Sequence, residues 1–199
     1  TALAPLAVGF AVRDRPATDA ERERARVPAD LRLRVVDDRT RFGVAFAAGV
    51  VPGLRYVFVA ESLFEGLSEQ ELAGVVAHEV GHHRRHHVLV RFAVFLVAVV
   101  PLLLALDVGG TTTLLSGGVL AVAAILVAFA VVRRTEYAAD AYAVERGVGP
   151  GLAAALERLA SERVLLTTPG PHAGPLAAHP PLRARIERLS DETNRERPI

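Results

Sequence analysis

Residues able to do chemistry concentrate in one stretch of this 199-residue chain, where His78-Glu79-Val80-Gly81-His82 sits inside GVVAHEVGHHRRHH. Residues four apart on a helix stand one above the other on the same face, so His78 and His82 can direct two imidazoles at one point. Glu79 lies beside them. Two neutral ring nitrogens suit a zinc ion, and a neighbouring carboxylate can take a proton from water that the ion has acidified. The chain has no cysteine, so any further ligand must come from histidine, aspartate or glutamate. An acid pair with helical spacing, Glu136 and Asp140, follows well downstream in RRTEYAAD.

Positioning that pair beside the histidines is a matter of the residues between them. From Phe92 to Val132 the only charged side chain is Asp107. Two apolar runs, Val88 to Leu106 and Leu114 to Val132, are each about nineteen residues, or about 28 Å as helix, close to the hydrocarbon thickness of a bilayer. The connector between them is short and glycine-rich, which predicts an antiparallel transmembrane hairpin over 88–132. A pair of buried core helices in a soluble domain is the competing reading. A hairpin returns its second arm beside its first, so Glu136 comes back to the histidine helix. Glu136 then reads as the third zinc ligand and Asp140 as the acceptor that orients a ligating imidazole. Without the histidine motif the same residues would read as a surface Arg/Glu/Asp cluster. Arg84, Arg85, Arg91, Arg133 and Arg134 flank the open end and the connector carries no arginine, so that end, and the site with it, is expected to face the cytoplasm.

The flanking segments are read as follows. Thr1 to Val12 is apolar but too short to span a bilayer, and is read either as the tail of an upstream membrane helix or as an apolar strand or disordered terminus. Asp19 to Arg26 reads as a solvated helix. The runs from Leu31, from Phe42 to Ala48 and from Arg55 to Ala60 predict a three-stranded, partly antiparallel sheet, whose edge could hold a peptide by strand addition or could simply pack on the helix. Ser68 with Glu71 forms a capping box that opens the histidine helix. His86 extends the i, i+4 ladder and is read either as a further ligand or as part of a cationic segment at a membrane surface. Pro150 starts another helix, Thr167 to Pro175 is a loop read as a lid or a plain connector, and a last helix begins at Leu182. Net charge is +1, which gives no electrostatic case for a nucleic-acid partner. The chain starts at Thr1 and has no methionine, so it reads as a segment of a longer product.

In this order the features resemble the membrane-embedded zinc peptidases that include the HtpX heat-shock protease and the CAAX prenyl endopeptidases. The resemblance covers roughly 31–189 and rests on the AFAAG segment, LSEQEL, AHEVGHH, an apolar hairpin, RRTEYAAD and AHPPLRARIERL. It implies an α+β, mostly α, zincin-like metallopeptidase domain over 1–199, with a small β-sheet and the transmembrane hairpin of 88–132 inserted. It implies one Zn2+ per chain on His78, His82 and Glu136, Glu79 as general base, and Asp140 supporting a ligand histidine. It also implies that His179 stabilises the oxyanion, with Arg185 near it. The family usually has Asn where Val44 stands, which bears on the edge strand and substrate preference. The implied function is an inner-membrane, multi-pass zinc endopeptidase acting on protein or peptide substrates in membrane-protein quality control. The alternatives are a dedicated processing or signalling peptidase and a non-proteolytic, zinc-stabilised membrane scaffold.

Overall fold

The computed structural model describes residues 13–37, 44–161 and 180–195. Their order is β1 (Asp14–Pro16), α1 (Asp19–Arg24), β2 (Arg32–Val36), β3 (Ala45–Ala48), β4 (Tyr56–Ala60), α2 (Glu61–Gly66), α3 (Glu69–Arg84), α4 (His87–Val108), α5 (Thr111–Glu145), α6 (Gly149–Ser161) and α7 (Leu182–Arg195). The class is α+β with helix dominant, as the sequence implies.

The sheet has four strands where the sequence predicts three, in the order β1-β2-β4-β3. β2 and β4 pair in parallel, and β1 and β3 close the two sides antiparallel. The added strand, Asp-Arg-Pro, is too short and too charged to show an alternating apolar pattern. It is held by its pairing with Arg34–Val36 and by the Arg34–Asp14 ion pair.

One face of the sheet supplies Leu33, Val35, Val57 and Val59 to the core, all nearly inaccessible. Leu72, Val76 and Val80 of α3 meet them, with Leu152 and Ala155 of α6 and Leu189 of α7. Each large aliphatic side chain buried this way contributes roughly 1.5–3 kcal/mol. The capping box of α3 forms as the sequence predicts, with Ser68 accepting from the Glu71 amide and Glu71 from the Ser68 amide. Gly74 of α3 faces the backbone of Gly151 and Leu152, and Gly151 faces that of Gln70 and Glu71, so a Cβ on either glycine would strike main chain. That close approach sets α3 firmly on α6. At its other end α3 is tied to β4, where a ring nitrogen of His83 meets the Tyr56 carbonyl at 2.8 Å.

α4 and α5 are both long and apolar enough to cross a bilayer, and only 6% and 11% of their most apolar windows are buried. A pair of core helices in a soluble domain would be largely covered, so the exposed hairpin is the arrangement found. The second arm, α5, runs on past its apolar stretch without a break to Glu145. The acid pair is thus fixed rigidly to the hairpin's second arm.

Candidate metal centre

Three donors converge where α3 crosses α5. The Nε2 atoms of His78 and His82 are 3.2 Å apart, and each lies 3.5 Å from a different carboxylate oxygen of Glu136. All three residues are buried, and they form a cluster able to hold a metal ion. Tetrahedral ligands at about 2.0–2.1 Å from an ion stand about 3.3–3.4 Å from one another. The donor set and its spacing therefore fit a small dication, and with no thiolate present the ligands are nitrogen and oxygen.

Around the donors is a set of charged partners. Nδ1 of His78 meets Oδ1 of Asp140 at 2.8 Å, which leaves Nε2 of His78 facing the cluster. Arg185, arriving from α7, donates to both oxygens of Asp140 at 2.8 and 2.6 Å and has Nη1 3.5 Å from Glu136. Arg91, from the first turns of α4, donates to Glu136 at 2.5 Å and to the Thr135 hydroxyl. Two guanidinium groups thus offset two buried carboxylates, and the bidentate Arg185–Asp140 pair holds that acid in fixed orientation.

Glu79 is buried beside the histidines, close enough to the backbone of Ala47 on β3 for it to favour the ionised carboxyl. Burial raises its pKa to about 7, with the nearby Glu136 charge adding to the effect and the His78 and Arg91 charges and Ala47 opposing it. A dication in the site would pull this carboxyl back toward its ionised form. For His78, burial disfavours the charged ring, but hydrogen bonds to Asp140 and Glu136 outweigh it and lift the pKa to about 9. His82 goes the other way, well below its ordinary value, through burial and the neighbouring charge of His78. Two imidazolium rings cannot share this space, so of the two rings it is His78 that carries the extra proton in the metal-free centre.

The sign for metal uptake follows. His78 is protonated below about pH 9 and must be neutral to bind an ion. Apparent affinity should therefore rise about tenfold per pH unit between about pH 7, where Glu79 has ionised, and that value, and then level off. Calorimetric titration of metal-free protein in buffers of different ionisation enthalpy should show between one and two protons released at neutral pH, one from His78 and about half of one from Glu79; release of none would place the protons elsewhere.

Of the site residues expected from sequence, His78, Glu79, His82, Glu136 and Asp140 lie together. His179 and the Thr167 to Pro175 loop lie outside the described residues. His86 is exposed and outside the cluster. Arg91, which in the sequence reads only as positive flanking charge, touches Glu136. His87, which reads as one more ring in a histidine-rich run, touches His82. Arg185 reaches Asp140 and the donor cluster itself. Nothing in their local sequence marks these contacts, which span 5 to 107 positions along the chain.

A histidine helix lying along a short edge strand, with a carboxylate delivered from a later helix, is a zincin-like arrangement. The sequence pattern of peptidase family M48 matches residues 17–193, and the chain belongs to that family. It is 32% identical over 193 residues to a Protease HtpX homolog of Listeria innocua serovar 6a, covering 74% of this chain and 64% of that protein. It is 32% identical over 204 residues to a Protease HtpX homolog of Salinibacter ruber, covering 89% of this chain and 73% of that one. The chain thus spans less than two thirds of the length of the Listeria relative. Its fold is similar to that of S. mikatae Ste24p, with a TM-score of 0.70 at 21% identity, covering 94% of this chain and 53% of the other.

Proposed function

We propose that the chain is the catalytic part of a membrane-bound zinc endopeptidase. The observation that carries this is the convergence of His78, His82 and Glu136 beside a buried Glu79, on a helix packed against edge strand β3. Zinc is the ion whose ligand types and tetrahedral spacing this donor set matches. When bound, it supplies a Lewis acid and makes water acidic at neutral pH.

The chain's own residues account for the remaining steps. Glu79 accepts a proton from the attacking water and passes it to the leaving amine. Asp140, held by Arg185, keeps His78 in the tautomer that offers Nε2. β3 pairs with β4 through the Val44–Ala60 hydrogen bond, and in an antiparallel ladder the alternate residues Ala45 and Ala47 then turn their backbone groups away from β4. Those groups face the side where an extended peptide would add as a strand, next to Glu79. Val44, where relatives of the kind resembled carry Asn, is exposed at the start of that strand. For His179 the proposed role is donation to the developing oxyanion. In support, Pro180, adjacent to it in sequence, is fully buried, and α7 brings Arg185 into the cluster five residues further on.

The test is chelator sensitivity. Detergent-purified protein should cleave casein with one zinc per chain, lose cleavage on chelation, and regain it on adding zinc back. Casein cleavage that survives complete zinc removal would sink the proposal.

We also propose that the hairpin crosses the cell membrane with its open end and the metal centre on the cytoplasmic side, because arginines crowd that end and none lies in the Gly109–Gly110 connector. The cysteine-free chain makes this simple to test. A single cysteine introduced at Gly110 should react with membrane-impermeant maleimide in intact cells, and protection there would reverse the orientation.

A further inference from the structure

His78 has Asp140 to orient it, and the two-histidine motif names no such partner for His82. The structure contains one. His82 turns Nε2 to the donor cluster and Nδ1 to the Nδ1 of His87, 3.0 Å away, with the two rings nearly perpendicular. Both residues are buried. His87 reaches this place through a break in the helix. α3 ends at Arg84, Arg85 caps it, and His86 adopts a left-handed backbone with φ +56°, so that α4 restarts at His87 in a new direction. A continuous helix would have kept the i, i+4 ladder and aligned His86 with His82 instead.

We infer that His87 is a positioning residue for the metal centre: its Nδ1 accepts the Nδ1 proton of His82, fixing Nε2 of His82 as the nitrogen offered to the ion. This rests on the metal-site reading above. Two ring nitrogens at hydrogen-bond distance share one proton, so one donates and the other accepts. If Nε2 of His82 coordinates, its proton is on Nδ1, and His87 accepts there while carrying its own proton on Nε2. His87 is not a fourth ligand, because its close nitrogen meets the far side of the His82 ring and not the donor cluster. The two ligand histidines are thus held differently, one by a carboxylate and the other by a neutral ring. The base of α4 also holds two of the three donors, since Arg91, one turn beyond His87, bonds Glu136. The root of the hairpin and the metal centre form one unit.

The experiment compares wild type with His87→Asn, His87→Gln and His87→Leu, each purified in detergent with the hairpin intact. Asparagine can place an amide oxygen about where histidine has Nδ1, whereas the glutamine amide falls nearer the Nε2 position and leucine offers no acceptor. Zinc affinity is measured by competition with a chelating dye, and the ligand field by the visible spectrum of the Co2+ form. His87→Leu and His87→Gln should bind zinc about 10–100-fold more weakly and shift the Co2+ bands, while His87→Asn should restore most of the affinity and the wild-type spectrum. A merely structural role would not separate Asn from Gln, and that contrast holds even if the leucine variant fails to fold. Equal affinity and spectra in Asn, Gln and wild type, or equal losses in Asn and Gln, would overturn the role of His87 alone. A wild type that binds no zinc would overturn the metal reading and this one together.

Discussion

Replacing Glu79 with glutamine should abolish peptide hydrolysis and leave the metal in place. Glu79 is not among the converging donors, so zinc stoichiometry should remain one per chain. Glutamine keeps the shape of the side chain and an oxygen able to accept from Ala47, so the contact with β3 survives. What it removes is the ability to take a proton. Loss of a positioned general base costs about 10²–10⁴ in rate, enough to take casein cleavage to background. A stability measurement separates this from damage to the fold. The Glu79 carboxyl is raised by burial to about pH 7, so above its ordinary range it disfavours the folded, metal-free state. A neutral glutamine lifts that burden, and the melting temperature of the metal-free variant should not fall. Full activity in Glu79→Gln would remove Glu79 as the base, and lost zinc would make it a ligand instead.

Much of this centre is written locally in the sequence, and the parts that are not share a physical reason. The pairing of His78 with His82 needs only helical spacing, and the start of that helix needs only Ser68 and Glu71. The return of Glu136 needs two apolar runs of equal length and a short glycine connector, a pattern spread over 45 residues but still readable because a bilayer fixes the length of each arm. In contrast, the contacts of His87, Arg91 and Arg185 depend on backbone directions that no composition or period encodes. The histidine run shows the difference most plainly. Extending the helical ladder singles out His86, yet the chain breaks helix at that residue, exposing His86 and burying His87. β1 is hidden for a different reason, since two charged residues and a proline become a strand only because β2 offers an edge to pair with.

The same geometry makes Glu136→Ala the most informative loss. Glu136 supplies the one anionic donor and is also the carboxylate facing Arg91 and Arg185. Without it, two neutral nitrogens remain to hold a dication, and Arg91 loses the carboxylate it bonds while Arg185 keeps Asp140. Removing one partner from a buried charged cluster costs the fold roughly 3–5 kcal/mol, and losing a ligand outright should weaken zinc binding by more than the roughly 10–100-fold typical of losing an outer partner. At micromolar protein the variant should lose its zinc on dialysis and with it all casein cleavage, and its melting temperature should fall even when compared with metal-free wild type. The last comparison matters, because it measures the unpaired Arg91 separately from the missing ion. If Glu136→Ala instead kept zinc at full occupancy, the third donor would have to be another group within reach, with Asp140 and Glu79 the two acids at hand. α5 would then serve to brace the histidine helix and not to complete its ligand set.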